Sequence, residues 1–282
     1  MKIDKVIWSS SVEYSDFWNI NSYLHKKYLD MDCVLILYGK KSDCNLSEEY
    51  GTVIEADYLP HLPKMVQLVM SKFYYPKYEP DTTWLIGDID QLPLQREHFI
   101  DNLEEIPDDH YVHLAEDAIT SLNKVPTNSW RFCVDGTKWS ERTRKGFLTA
   151  HYHAAKGSTF AKALDLDSSF SSHIKSLMEM YYEQPFEYQL ISHENDSVLW
   201  AFEEQYTTSL IRKNIPIDKF TGFNRPHGCD NPESRKVDRG NGCAFDKNRP
   251  ELYVDFHCPR PYKKHRNEIN EILNFFWEQK ND

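Results

Sequence analysis

Short runs of consecutive apolar residues alternate, through the first hundred positions, with stretches whose apolar residues fall three and four apart. The runs are Val6-Ile7-Trp8, Cys33 to Gly39, Thr52 to Ala56 and Thr83 to Ile86. Between them, Asp16 to Leu29 carries Phe17, Ile20, Tyr23, Leu24 and Tyr28 near helical spacing. Leu62 to Tyr75 carries Met65, Leu68, Val69 and Phe73 along one side. Uninterrupted apolar strands are buried on both faces, and strands alternating with helices predict a parallel α/β sheet.

The pattern loosens further on. Tyr111 to Leu114 reads as a strand, Ser158 to Leu166 and Ser169 to Tyr182 as helices, and Leu252 to Phe256 as a late strand. Arg266 to Lys280 places Ile269, Ile272, Leu273 and Phe276 on one helical face. Asn214 to Pro250 differs in kind. It holds Pro216, Gly222, Pro226, Gly228, Pro232, Gly240 and Gly242 with few aliphatics, and reads as a long loop-rich segment before the last strand and helix. A structureless stretch of that length is usually either functional or mobile. The expectation is one α/β domain over 1–282.

Composition narrows the partners. Hydrophobic residues make up 40% and aromatics 14%, with 17 Tyr, 15 Phe and 7 Trp, enough to build a sizeable core and to offer rings for stacking on sugars. The net charge of −11 without an evident basic patch excludes a typical nucleic-acid binder and disfavours an anionic membrane surface. Six cysteines without a CxxC pair support neither a zinc site of the usual spacing nor a disulfide scaffold. No apolar run approaches the ~18 residues of a transmembrane helix, and the first residues lack a signal-type apolar core. These features predict a soluble, cytoplasmic protein.

Asp-x-Asp occurs three times, so its spelling alone decides nothing. Ligands of open α/β sheets bind at the carboxyl ends of strands. Asp30 and Asp32 precede a strand, and Asp165 and Asp167 lie between two helical stretches. Only Asp88 and Asp90 directly follow an apolar strand, with Gly87 between, where backbone can approach a ligand closely. Two carboxylates there can hold Mg²⁺ or Mn²⁺, and such a cation bridges the phosphates of a nucleotide.

At this tract, Gly87-Asp88-Ile89-Asp90, the chain resembles glycosyltransferases of the GT-A class, whose Rossmann-like mixed sheet is flanked by helices and carries a DxD motif. The resemblance implies a nucleotide-binding half at 1–95 and an acceptor-binding half at 96–282. It implies Asp90 as the more direct metal ligand, Asp88 at the ribose or the metal, and Trp8, Ser9 and Ser10 near base and ribose. A late His completes the metal shell in many such enzymes, and His257 resembles it, followed by Arg260, Lys263 and Lys264 for the diphosphate; imidazole would favour Mn²⁺ over Mg²⁺. In inverting members an acidic pair at a helix start supplies the general base, a role open to Glu203 or Glu204. The tract His151-Tyr152-His153 to Lys156-Gly157 is similar in location to donor-sugar and acceptor pockets. His151 and His153 share a face if the tract is extended and could bind a metal, but a substrate pocket is the preferred reading. Arg225, Arg235, Lys236 and Arg239 could close over the diphosphate as a basic loop.

The resulting expectation is a metal-dependent hexosyl- or pentosyltransferase that uses a nucleotide-diphosphate sugar, a UDP-sugar foremost, and a carbohydrate acceptor. Another nucleotide-sugar-processing enzyme is the first alternative. A pyrophosphorylase would need glycines after the first strand, where Ser9-Ser10-Ser11-Val12 stands. The alternative outside catalysis is a carbohydrate-binding protein independent of metal and nucleotide.

Overall fold

The computed structural model describes residues 1–115, 148–182, 202–223 and 236–277. Arg225 and Arg235 lie outside them. Four parallel strands come first: β1 (Lys5–Ser11), β2 (Asp32–Tyr38), β3 (Gly51–Ala56) and β4 (Thr83–Ile86). Helix α1 (Trp18–Leu29) follows a 3-10 turn at Val12–Phe17, and α2 (Lys64–Tyr74) precedes β4. β5 (Gln91–Pro93) comes four residues after β4, then the single turn α3 (Arg96–Phe99), β6 (Tyr111–His113), β7 (His153–Lys156), α4 (Gly157–Ala163), α5 (Phe170–Tyr182) and α6 (Phe202–Asn214). The chain continues through β8 (Phe220–Gly222), β9 (Lys236–Asp238), β10 (Asp255–His257) and α7 (Tyr262–Trp277).

Seven strands form one mixed sheet in the order β3-β2-β1-β4-β7-β6-β8. β7 runs antiparallel to both its neighbours; the other pairs are parallel. A second sheet has the order β5-β10-β9. The expected mixed α/β sheet flanked by helices is therefore present, and strands from beyond residue 95 continue the sheet begun before it.

Alternation along β1 feeds two cores, one on each face. Val6 and Trp8 join a cluster with Trp18 and Leu24 of the α1 side and Ile269, Leu273 and Phe276 of α7. Ile7 joins the other, with Phe73 of α2, Phe160 of α4, Ile174 of α5 and Leu210 of α6. Burial on both faces explains why these strands carry continuous apolar runs.

The segment 214–250 is not wholly loop. It contributes β8 to the edge of the large sheet and β9 to the small one. Strands of three residues are too short to display a period of two, so proline and glycine dominate the pattern there. The late strand also lies further on than its apolar run implies: Pro250–Leu252 is a 3-10 turn, and His257 is the last residue of β10 rather than a residue beyond it.

Lys156 and Gly157 are placed by strand direction. Because β7 is antiparallel to β4, His153 pairs with Ile86 at the carboxyl end of β4, while Lys156 pairs with Thr83 at its amino end. Lys156 forms an ion pair with Asp108 at 3.7 Å. A Cβ on Gly157 would stand 2.2 Å from the Pro76 carbonyl oxygen and 2.4 Å from that of Glu79. Both residues thus lie on the far edge from Asp88, and the glycine permits close backbone packing. Gly157→Ala should cost about 3 kcal/mol of unfolding free energy in urea denaturation, since backbone must move to admit the methyl group.

Candidate functional site

Four residues separate the two sheets, and the carboxylates sit on them. The backbone of this crossing is pinned from three sides. Gly87 N–H donates to Ile7 O of β1 at 3.2 Å, and Cys258 N–H donates to Asp90 O at 2.9 Å. From α1, the buried Asn21 side chain donates to Ile89 O and Gln91 O at 2.9 and 3.1 Å. Trp8 closes the crossing from below. A Cβ on Gly87 would stand 2.8 Å from its indole nitrogen, so this glycine accommodates a ring. Trp8 is fully buried, packed edge-on against Trp18 and His25. Its side chain belongs to the core. Of the three residues expected near a base or ribose, Ser9 alone is half-buried, and Ser10 is buried with its hydroxyl donating to Ser11 O.

The two carboxylates face different partners. Asp88 Oδ1 accepts from Lys72 Nζ at 2.5 Å, and its Oδ2 lies 3.4 Å from His151 Nδ1. Gln91 Nε2 lies 3.2 Å from the same imidazole nitrogen. Lys72 is buried and also stands 3.7 Å from Glu203 Oε2, in the first turn of α6. Glu204 Oε1 accepts from Ala150 N–H at 3.4 Å. On the other side, Asp90 Oδ2 accepts from Arg260 Nε and Nη2 at 2.6 and 2.5 Å and from Arg239 Nη1 at 2.9 Å. His257 Nε2 lies 3.5 Å from that oxygen, while its Nδ1 is 3.1 Å from Asp238 Oδ2.

These environments push the proton affinities apart. Burial alone would raise both aspartates; Lys72 and His151 outweigh it at Asp88, and His257 and Arg260 at Asp90, so both are held below the usual carboxylate range. Burial disfavours a charged Lys72, but Asp88 and Glu203 hold its ammonium in the charged form. Glu203 is pushed well up by burial and by the charges of Asp88 and Glu204, against the pull of Lys72. Glu204 is raised to about 7 by burial and Asp88. His257 is raised against burial by its two carboxylate neighbours.

The sequence-derived residues therefore divide. Asp88, Asp90, His257, Arg260, His151, Glu203 and Glu204 come together at the carboxyl end of β4. His153 does not join them. It is buried with Tyr111 Oη 3.0 Å from its Nδ1 and Thr149 O 2.6 Å from its Nε2, and burial lowers its pKa to about 3. Lys156 and Gly157 are at the opposite edge. Lys263 is exposed and, with Asp16, Cys44 and Arg266, lines a cavity of about 570 Å³ beside the end of β1. Three contributors escaped sequence reasoning: Lys72, Gln91 and Asp238. A lysine on an amphipathic helix reads as solvated, and Asp238 reaches the site only through strand register.

Among the described residues, no three His, Cys, Asp or Glu side chains form a metal-holding group. Asp90 and His257 do stand together as an oxygen and a nitrogen donor. Hard cations of the Mg²⁺ and Mn²⁺ kind accept one or two protein ligands completed by substrate oxygens, so this pair fits such an ion when it arrives with a diphosphate.

Comparison with solved structures puts this geometry in a known frame. The chain superposes on a galactosyltransferase, LgtC, crystallised in complex with donor and acceptor sugar analogues. The TM-score is 0.52 at 10% identity, over 97% of this chain and 96% of that one. The fold is of the GT-A type. The glycosyltransferase GlyE of Streptococcus pneumoniae TIGR4 gives a TM-score of 0.45 at 9% identity over 99% of this chain and 64% of GlyE, so the chain spans less than two thirds of that protein. A glycosyltransferase involved in glycosylation of the major capsid of PBCV-1 gives 0.42 at 10% identity, over 96% and 99%. No family model and no curated protein matches in sequence. No helix among the described residues is long and apolar enough to cross a membrane.

Two outcomes follow from the charge arrangement. Lys72→Met keeps the stem but strips the ammonium from buried carboxylates. It should lower stability at pH 7 by about 3–5 kcal/mol in urea denaturation. Glu204 binds its proton more tightly in the folded chain, to about pH 7, than at the ordinary value of 4.5. Its contribution to stability is thus full below pH 4.5 and lost as pH rises through 7. Glu204→Gln should flatten that loss and raise stability at pH 8 by on the order of 1–3 kcal/mol, measured by denaturation in EDTA.

Proposed function

We propose that this chain transfers a glycosyl group, hexosyl or pentosyl, from a nucleotide-diphosphate sugar to a hydroxyl of a glycan or other acceptor. The observation that carries the reading is the pair Asp88 and Asp90 at the carboxyl end of β4 of a GT-A type sheet, ringed by Lys72, Arg239 and Arg260. The same fold carries donor and acceptor sugar analogues in LgtC, which supports a sugar substrate here. A UDP-sugar is the donor to test first.

Asp90 and His257 would hold Mn²⁺ or Mg²⁺, with Asp88 beside them at the ribose or the cation. When bound, the cation offsets negative charge on the departing diphosphate. Arg239 and Arg260 supply further positive charge at the same place, released from Asp90 as the diphosphate enters. Ser9 and Ser10 lie near the end of β1, where the ribose is expected, and Lys263 borders the adjoining cavity. His151, held against Asp88 and Gln91, donates to or accepts from a hydroxyl of the transferred sugar.

An inverting reaction needs a base for the acceptor hydroxyl. The partial exposure of Glu204 and its pKa of about 7 favour it over the enclosed Glu203, whose neighbour is Lys72. In a retaining reaction both glutamates keep a binding role.

Melting curves with UDP and GDP, each with and without Mn²⁺, test the reading. Stabilisation by a nucleoside diphosphate that grows with Mn²⁺ supports it, and no stabilisation by either nucleotide sinks it. Stabilisation by sugars alone would support the non-catalytic carbohydrate-binding alternative. Asp90→Ala should reduce release of UDP from the preferred donor by about 10²–10³-fold. Full turnover in that variant would refute the assigned site.

A further inference from the structure

We propose that Asn21 is the positioning residue for Asp90: from inside α1 its side-chain amide fixes the backbone on either side of that carboxylate, and so the point at which a cation is held. The proposal rests on the metal reading above.

The direction in which Asp90 leaves the chain is set by its two flanking peptide planes. The plane before it carries the Ile89 carbonyl, which accepts from Asn21 Nδ2 at 2.9 Å. The plane after it carries the Asp90 carbonyl, which accepts from Cys258 N–H at 2.9 Å. The next carbonyl, that of Gln91, accepts from the same Asn21 Nδ2 at 3.1 Å, and Gln91 N–H turns back to Asp88 O at 3.0 Å. A residue has only two soft backbone dihedrals, so tethering both planes holds Asp90 in one conformation. Asn21 spends its two N–H bonds on the residues immediately before and after it.

The chemistry settles which way the amide faces. Both partners are carbonyls, which only accept, so the nitrogen is turned to them. Asn21 is fully buried, and its Oδ1 accepts no hydrogen bond among the described residues. Such an orphan lowers stability, whereas a hydroxyl or an aliphatic side chain would lack the second donor. The anchor itself is braced. Asn21 O accepts from His25 Nδ1 at 3.0 Å, and the His25 ring packs edge-on against Trp8 with centroids 4.9 Å apart. Trp8 is the ring beneath Gly87. One turn of α1 thus supports both ends of the crossing.

Titration calorimetry of UDP on the full chain, in Mn²⁺ and in EDTA, tests this. Asn21→Leu nearly keeps the volume and removes both donors. It should weaken UDP binding in Mn²⁺ about 10–100-fold and leave binding in EDTA unchanged, because only the first runs through Asp90. Trp277→Phe is the matched control. Trp277 Nε1 donates to Pro93 O at 3.0 Å, on the strand that follows Asp90. Removing that donor should lower the melting temperature comparably and leave both affinities intact. Asn21→Ser admits a water at the two carbonyls and serves if the leucine variant does not fold; its effect should be smaller and in the same direction. Unchanged binding in Mn²⁺ in a folded Asn21 variant would overturn the role of Asn21 while leaving the metal reading standing. So would an equal loss in Mn²⁺ and EDTA, or the same loss in Trp277→Phe, since either marks general loosening. A wild-type chain that binds UDP no better in Mn²⁺ than in EDTA would overturn the metal reading and this proposal with it.

Discussion

The chain crosses from the seven-stranded sheet to the three-stranded one in four residues, Gly87 to Asp90, and both carboxylates ride on that crossing. Much of the site depends on its being rigid. Its Gly87 N–H bonds to β1, its Ile89 carbonyl accepts from Asn21 of α1 and its Asp90 carbonyl accepts from Cys258 just after β10, so a shift of either sheet breaks bonds to the crossing. Buried backbone groups left unpaired cost about 1–3 kcal/mol each, which makes the pinning a strong constraint. Trp8 fills the space beneath Gly87, and its burial among Trp18 and His25 gives the crossing a floor that does not yield.

Rigidity would be of little use if the carboxylates took up protons. Two acids two residues apart in a low-dielectric setting favour neutralisation unless cations hold them ionised. The fold meets this by dividing the partners between them: Lys72, with the His151 imidazole beside it, for Asp88, and Arg239, Arg260 and His257 for Asp90. These side chains come from α2, from the approach to β7, from the turn after β9 and from the end of β10 and beyond. A chain of net charge −11 thus gathers a locally cationic ring around its acidic centre.

How much of this could be read from the sequence follows from what each signal depends on. The first four strands and α1, α2 and α7 were legible because burial on a definite face imposes an apolar period. The location of Asp88 and Asp90 was legible because an apolar strand precedes them. Strand direction has no such signature, which is why Lys156 and Gly157 were grouped with His151 although β7 carries them away from the site; His153 stays at the near end of β7, but Tyr111 and Thr149 hold its ring in the core. Trp8 was read as a ligand neighbour from its place at a strand end, yet alternation turns its ring into the core. β8 and β9 were hidden by their length. Lys72 was hidden by its company on an amphipathic helix, and Asp238 by the nineteen positions separating it from a residue it meets only through pairing.

The charge ring also couples the two sides of the site. Lys72 is a single ammonium set between Asp88, at 2.5 Å, and Glu203, at 3.7 Å, with Glu204 near enough to feel both. Burial raises Glu203 and Glu204, the charge of Asp88 raises them further, and one ammonium shared among three carboxylates does not offset this. A further positive charge brought near Asp88 would lessen the repulsion that Glu204 experiences, and its pKa would fall. An anion brought to the same place without its counter-ion would do the opposite. The protons on Glu203 and Glu204 are therefore set in part by what lies beside Asp88, through the buried ammonium of Lys72.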